Sequence, residues 1–310
     1  MLTAGHCVDL ETTSQFLGFA PQRLFYLASS SSTLYRTIEI PKRSNPEKLR
    51  KIDIPISELK GVQRVISKKI FLGASVNSSV FSYVSGRSVV DAAQKFCPGH
   101  AVLKIDIENF FPSIMFGRVY GLFKSLGFNN PVSFMLTRLT TKDGRLTQGA
   151  PTSPTISNLI LRNLDQQMNA LTNAWEMGYL RYSDDLFFYK NKNFNHPRLT
   201  ELVGKIVEGN GFKVNDSKTR YHAKGVPRIT LGLLTHGDTP RMPGRQKRNY
   251  RAAFYRASRD VHWAYKNAAL LKGMLEWYRC IYGKDDSYYQ YKSSIQNINR
   301  LHIHDTYVSK

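Results

Sequence analysis

The sequence predicts an α+β chain of about two globular units, and three observations support this. Of its 310 residues 42% are hydrophobic, which at roughly 100–200 residues per domain suffices for two cores. Stretches with apolar residues every three or four positions predict helices, and shorter runs of alternating or continuous apolar character predict strands. Two pairs of the strand-like runs lie close enough in sequence to form hairpins.

Taken in order, residues 9–27 have helical spacing at Phe16, Leu17, Leu24 and Leu27, and serines 29–32 read as a loop. Residues 38–40 and 49–54 are extended runs separated by the turn-forming Ser44-Asn45-Pro46, a basic hairpin. Val62, Val65, Ile66 and Ile70 form an amphipathic helical stripe. Leu103, Ile105 and Ile107 alternate with Lys104 and Asp106, as in a half-buried strand that puts Asp106 opposite the isoleucines. Ser153-Pro154 reads as a cap followed by a first-turn proline, and Ile156, Leu159, Ile160, Leu164, Met168 and Leu171 carry one helix onward. Residues 180–182 and 186–189 are short strands around Ser183-Asp184-Asp185, and residues 245–279 are rich in helix. No repeat or low-complexity block interrupts the chain.

Charge narrows the class of partner. Lysine and arginine number 44 against 23 acidic residues, a net charge of +21, and a polyanion, with nucleic acid foremost, accounts for it. No apolar run approaches the roughly 18–20 residues that cross a bilayer, and residues 1–6 lack a basic-then-apolar leader, so a soluble, cytoplasmic chain without a membrane partner is expected. Cys7, Cys97 and Cys280 are isolated and not at zinc spacing, as in ordinary thiols of a reducing compartment.

Adjacent aspartates in a hairpin turn, with a third on a neighbouring strand, are the ligands a two-metal phosphoryl-transfer site needs. Hard divalent cations take carboxylate oxygens, and two of them about 3.5–4 Å apart activate a 3′-hydroxyl and stabilise the leaving pyrophosphate. Asp106, Asp184 and Asp185 are the candidates. Successive strand residues point to opposite faces, so Asp184 and Asp185 both reach a metal only if the turn redirects one of them, and Asp184 is the safer ligand. The alternative is an Asp-Asp pair that merely solvates its turn.

The order of the motifs decides between these readings. Lys104-Ile105-Asp106-Ile107-Glu108-Asn109-Phe110-Phe111-Pro112-Ser113-Ile114 is followed by Thr147-Gln148-Gly149-Ala150-Pro151-Thr152-Ser153-Pro154, then by Arg181-Tyr182-Ser183-Asp184-Asp185, then by Gly211-Phe212-Lys213-Val214-Asn215-Asp216-Ser217-Lys218-Thr219-Arg220. In that order they resemble the palm and fingers motifs of reverse transcriptases, over about residues 38–234. The segment 148–154, Ser85-Gly86-Arg87-Ser88 and the short chain look most like bacterial retron reverse transcriptases. Two elements depart from the retron pattern: Asp91-Ala92-Ala93-Gln94-Lys95 stands where Asn-Ala-x-x-His is usual, and Thr230-Leu231-Gly232 where Val-Thr-Gly is usual.

The resemblance implies roles. Asp106, Asp184 and Asp185 would be catalytic and hold two Mg²⁺ ions, with Mn²⁺ as a substitute and the Ile107 carbonyl as a further ligand. Phe111, fifth after Asp106, would be the gate against a ribose 2′-hydroxyl; Phe110 and Phe111 should point apart by strand alternation, leaving one of them to the core. Gln148 and Gly149 would line the incoming-nucleotide pocket, where glycine admits close backbone approach. Lys42, Arg43 and Arg50 on the basic hairpin would clamp the triphosphate. Lys218 would bind phosphate or protonate pyrophosphate. Leu231 and Gly232 would form a primer grip. Lys247, Arg248, Arg251, Tyr255 and Arg259 would make a basic, aromatic-interleaved helical face that follows nucleic acid.

The expected architecture is therefore a right-hand polymerase fold: fingers at 1–102, a palm with an antiparallel sheet at 103–234 with a fingers-side segment near 115–150, and a helical thumb at 235–310. The implied activity is RNA-directed DNA polymerisation from deoxynucleoside triphosphates. The implied partners are a cognate structured noncoding RNA primed from a guanosine 2′-hydroxyl, an RNA–DNA hybrid product, a defence effector protein and a host ribonuclease H. Rival expectations are another bacterial reverse transcriptase class, such as a group II intron or diversity-generating enzyme, and a non-catalytic scaffold. The intact aspartate triad speaks against the scaffold, since three clustered like charges are costly.

Overall fold

The computed structural model describes residues 9–42 and 45–296. The N-terminal helical stretch is two helices, α1 (Leu10–Leu17) and α2 (Pro21–Ser29). Gly18, at φ 82°, closes α1 in the left-handed region, and Pro21 can only start a helix, so the chain turns between them. Leu17, Leu24 and Leu27 are buried as their spacing requires. The basic hairpin follows as β1 (Tyr35–Lys42) and β2 (Asn45–Pro55), antiparallel with Ile38 opposite Ile52. Its strands are longer than expected: Asn45 and Pro46 belong to β2, while Arg43 and Ser44 lie outside the described residues.

The chain continues through α3 (Ser57–Lys69), α4 (Val89–Gln94), β3 (Ala101–Asp106), α5 (Phe110–Ser113), α6 (Phe116–Ser125), α7 (Asn130–Thr140), α8 (Ser153–Ile160), α9 (Arg162–Ala174), β4 (Gly178–Tyr182), β5 (Asp185–Lys190) and α10 (His196–Gly209). The remaining elements are β6 (Arg220–His222), β7 (Ile229–Thr230), β8 (Leu233–Leu234), α11 (Gly244–Arg259), α12 (Val261–Lys266), α13 (Ala268–Tyr282) and α14 (Asp286–Ser294). In α3, Val62 and Ile66 are buried. The long helix expected from Ser153 onward is divided at Leu161, a buried residue at φ −83° and ψ 4°. That bend lets the stripes of α8 and α9, Ile156 and Leu159 then Leu164 and Met168, both stay buried. The cap position is Thr152 rather than Ser153, and it makes no side-chain capping bond.

The central sheet has the order β4-β5-β3-β6. Successive residues of β3 are buried on both faces of the sheet, so Asp106 is only 3% exposed and the expected alternation of buried and open faces is absent.

The described residues group into two compact units. The first takes in the chain through Arg87, Leu103–Phe188 and Asn195–Tyr221; the second takes in Ser88–Val102, Tyr189–Phe194 and the chain from His222. Leu103, Ile105, Leu180, Leu186, Phe187 and Phe188 anchor the core of the first. In the second, Tyr250, Phe254, Leu271, Leu275, Tyr278 and Tyr291 pack together, with the rings of Phe254 and Tyr291 stacked 4.4 Å apart. Cys97 is buried and Cys280 exposed, both as free thiols; Cys7 lies outside the described residues.

Candidate active site

Strand pairing assembles the three aspartates. Because β3 and β5 are neighbours, Asp106 at the end of one lies beside Asp185 at the start of the other. The Ile107 amide donates to the Asp184 carbonyl at 2.9 Å, tying the end of β3 to the β4–β5 turn. Ser183 sits at φ 59°, a left-handed residue in the turn that carries Asp184.

The three carboxylates bear on one another's charge. Burial raises the Asp184 carboxyl above its ordinary range, and the charge of Asp106 raises it further. Burial pushes Asp185 up to about 6; Lys104 opposes that rise, while Asp184 and Asp106 add to it. Two lysines supply counter-charge. Lys104 Nζ lies 2.8 Å from Asp185 Oδ2, and Lys218 Nζ donates to both oxygens of Asp106 at 2.8 and 3.0 Å. Neither ion pair was anticipated from the sequence, although Lys104 stands two residues before Asp106 on the same strand.

The donor set suits a hard divalent cation: three carboxylates and the carbonyl of Ile107. Ile107 pairs with Val214, and that pairing runs through Glu108 N to Lys213 O at 2.8 Å and Asn215 N to Asp106 O at 2.8 Å, so it leaves the Ile107 carbonyl uncommitted. Among the described residues no three His, Cys, Asp or Glu side chains already converge on one point. Asp106 and Asp185 are instead paired with Lys218 and Lys104.

Behind the turn lies a buried charge network that sequence reasoning missed. Arg181 and Asp165 both have fully buried side chains. Arg181 Nε and Nη2 donate to the two Asp165 oxygens, each at 2.8 Å, and Tyr179 donates to Asp165 Oδ1 at 2.8 Å. Arg181 Nη1 reaches Asn158 Oδ1 at 3.0 Å and the Ser183 carbonyl at 3.3 Å. The signal was present in the sequence: Asp165 occupies an inward position of α9, between Leu164 and Met168. From the opposite side the Ser183 amide donates to Ser82 Oγ at 2.6 Å.

The nucleotide-pocket candidates fare differently. Gly149, at φ 123°, meets the protein's own strand: a Cβ there would stand 2.5 Å from the Asp53 carbonyl oxygen. The Asp53 amide donates to the Gln148 carbonyl at 2.9 Å, and Lys142 Nζ holds the Asp53 carboxylate at 2.6 Å. Close approach at Gly149 thus serves the docking of β2 on this segment. Arg50 is exposed on β2, Lys42 ends β1, and Arg43 lies outside the described residues. Phe110 and Phe111 open helix α5 instead of extending a strand. Their rings touch edge-to-face at 5.1 Å rather than pointing apart, with Phe110 buried and Phe111 half-buried. Asn109, at φ 46°, ends the extended run before them, which is why strand alternation does not reach these two rings.

In the second unit Leu231 (φ 52°) and Gly232 (φ 81°) form the two-residue turn joining β7 and β8, the backbone a tight hairpin demands. On α11 the buried residues are Tyr250, Phe254 and Ala257, while Arg248, Arg251, Tyr255 and Arg259 are exposed. Lys247 lies over the Tyr282 ring at 5.6 Å, and Arg259 over Tyr255 at 5.6 Å.

Comparison with known proteins adds to this geometry. Residues 40–250 match the family described as reverse transcriptase (RNA-dependent DNA polymerase). The chain is 30% identical over 282 residues to the retron Mx162 reverse transcriptase of Myxococcus xanthus, covering 79% of this chain and 58% of that one. It is 32% identical over 220 residues to the retron Mx65 reverse transcriptase of the same organism, covering 65% and 51%. To the retron Ec86 reverse transcriptase of Escherichia coli it is 27% identical over 226 residues, covering 73% and 71%. The chain thus spans a little over half the length of the two Myxococcus proteins.

Proposed function

Since the chain belongs to the reverse transcriptase family, we propose that it is an RNA-directed DNA polymerase of the retron type. The observation that carries this is the joining of Asp106, Asp184 and Asp185 by the β3–β5 pairing and the left-handed Ser183. In this reading the three carboxylates and the Ile107 carbonyl hold two Mg²⁺ ions, or Mn²⁺ in their place. The ions supply activation of the primer hydroxyl and stabilisation of the departing pyrophosphate. The chain's own groups do the rest. Lys104 and Lys218 balance the charge of Asp185 and Asp106, and Lys218 would also serve the phosphates of a bound nucleotide. Gln148, Gly149, Phe111 and the basic hairpin with Lys42, Arg43 and Arg50 frame the deoxynucleotide.

The finer assignments rest on the likeness to retron enzymes. Fingers, palm and thumb take residues 1–102, 103–234 and 235–310. The turn at Leu231 and Gly232 grips the primer, and α11 follows the phosphates of a structured noncoding RNA and its RNA–DNA product. Priming uses a guanosine 2′-hydroxyl, giving branched RNA–DNA; host ribonuclease H removes template, and an effector protein completes a cytoplasmic antiphage system. The described residues contain no helix long and apolar enough to cross a membrane.

The experiment is purification from cells carrying the native locus, with bound nucleic acid treated by DNase, RNase and a debranching enzyme. A DNA strand joined to RNA through a debranchable linkage, lost in an Asp184→Asn, Asp185→Asn variant, supports the full reading. Unbranched complementary DNA keeps the polymerase and removes the retron priming; RNA alone removes the polymerase.

A further inference from the structure

Tyr83 stands out beside the catalytic turn. It is a bulky residue at φ 60°, a left-handed conformation that large side chains avoid because Cβ crowds the backbone. The residue is nevertheless 50% exposed, so no deep burial compensates the strain. The surroundings enforce the conformation. Ser82, just before it, is buried, with its carbonyl accepting from Asn158 Nδ2 at 2.9 Å and its hydroxyl accepting from the Ser183 amide at 2.6 Å. Arg87, a few residues on, donates to the carbonyls of Asn77 and Ser78 at 3.0 and 3.2 Å and to that of Val80. The Tyr83 hydroxyl lies 3.0 Å from Ser183 Oγ, one residue before Asp184.

A strained, over-determined aromatic that presents its ring to solvent has no packing reason to persist. Strain of this kind is maintained where a side chain must be presented to a ligand. An exposed aromatic ring next to a polymerase-type site offers a π-face to any nucleobase irrespective of sequence.

We propose that Tyr83 is a platform on which the nucleobase at the primer terminus stacks, held in register with Asp184 by the bond between its hydroxyl and Ser183. The proposal rests on the reading of this site as an RNA-directed DNA polymerase. It assigns Tyr83 two separable tasks: the ring binds the primer–template end, and the hydroxyl ties that end to the turn carrying the carboxylate.

The test uses the full chain and a DNA primer annealed to an RNA template, with 2-aminopurine at the primer terminus as a fluorescent reporter of stacking. Tyr83→Gly suits the left-handed backbone, so it should melt no lower than the parent. It should nonetheless bind primer–template roughly 5- to 150-fold more weakly, the loss that removal of one base–aromatic stack produces, and fail to quench the reporter. Tyr83→Trp should restore affinity and quenching. Tyr83→Phe, which keeps the ring and loses the bond to Ser183, should lower kcat without raising the primer–template Kd. A Tyr83→Gly protein that binds and quenches like the parent overturns the platform, as does one whose weaker binding tracks a lowered melting temperature. A parent chain that neither binds nor extends this primer overturns the polymerase reading itself, and with it the platform.

Discussion

Replacing Asp165 by asparagine keeps the shape of the side chain but removes the carboxylate that faces the Arg181 guanidinium. Both side chains are fully buried, and the pair shares two bonds of 2.8 Å. The guanidinium cannot shed its proton, so in the variant a cation stays in the protein interior with only neutral acceptors: Asn158 Oδ1, the Ser183 carbonyl and the amide oxygen of the substituted side chain. Removing one partner of such a pair costs about 3–5 kcal/mol. Against a typical stability of about 5–15 kcal/mol, that is enough to displace the unfolding midpoint strongly. Replacing both partners, Asp165→Leu with Arg181→Met, should recover most of the loss, because no charge then remains buried. Urea unfolding followed by circular dichroism measures the parent, Asp165→Asn and the double variant. The single variant should be the least stable and the double variant should lie closer to the parent. An Asp165→Asn protein within about 1 kcal/mol of the parent, a third or less of the expected loss, would refute the reasoning, since the network could then not be what holds the Ser183 turn.

Further outcomes follow from other sites. Gly149→Ala places a Cβ 2.5 Å from the Asp53 carbonyl oxygen at φ 123°, and strain plus overpacking should cost about 2–5 kcal/mol; an unchanged melting temperature would show that β2 does not dock here. Asp185 has a folded pKa of about 6 against an ordinary 3.8, so between these values the folded chain binds more protons than the unfolded one and its stability falls as pH rises. Asp185→Asn should therefore gain on the parent from pH 4 to pH 7 in metal-free unfolding, and parallel curves for the two proteins would sink the assignment. Arg248→Gln, Arg251→Gln and Arg259→Gln should each lower the slope of log affinity against log salt by about 1 for an RNA–DNA duplex, and an unaltered slope would remove α11 from the interface.

The sequence by itself determined which residues are candidates for the site. Three aspartates in fixed order, a hairpin around Ser183-Asp184-Asp185 and a helix with a basic face are local patterns, set by periods of 2 and 3.6 and by turn residues. Local pattern also reached the buried stripes of α3, α8 and α9, but not the bend at Leu161 or the break at Gly18, where packing sets the boundary. Only the tertiary structure decided what each charge faces. Lys104 and Lys218 are ordinary lysines until strand pairing brings them to Asp185 and Asp106. Arg181 and Asp165, 16 residues apart in sequence, become one buried unit. Gly149 acquires its reason from Asp53, on a strand far earlier in the chain. Phe110 and Phe111 follow a helix, since the left-handed Asn109 ends the extended backbone before them. Each of these depends on contacts between distant segments, and periodicity along a single segment carries no information about which distant group will lie across from it.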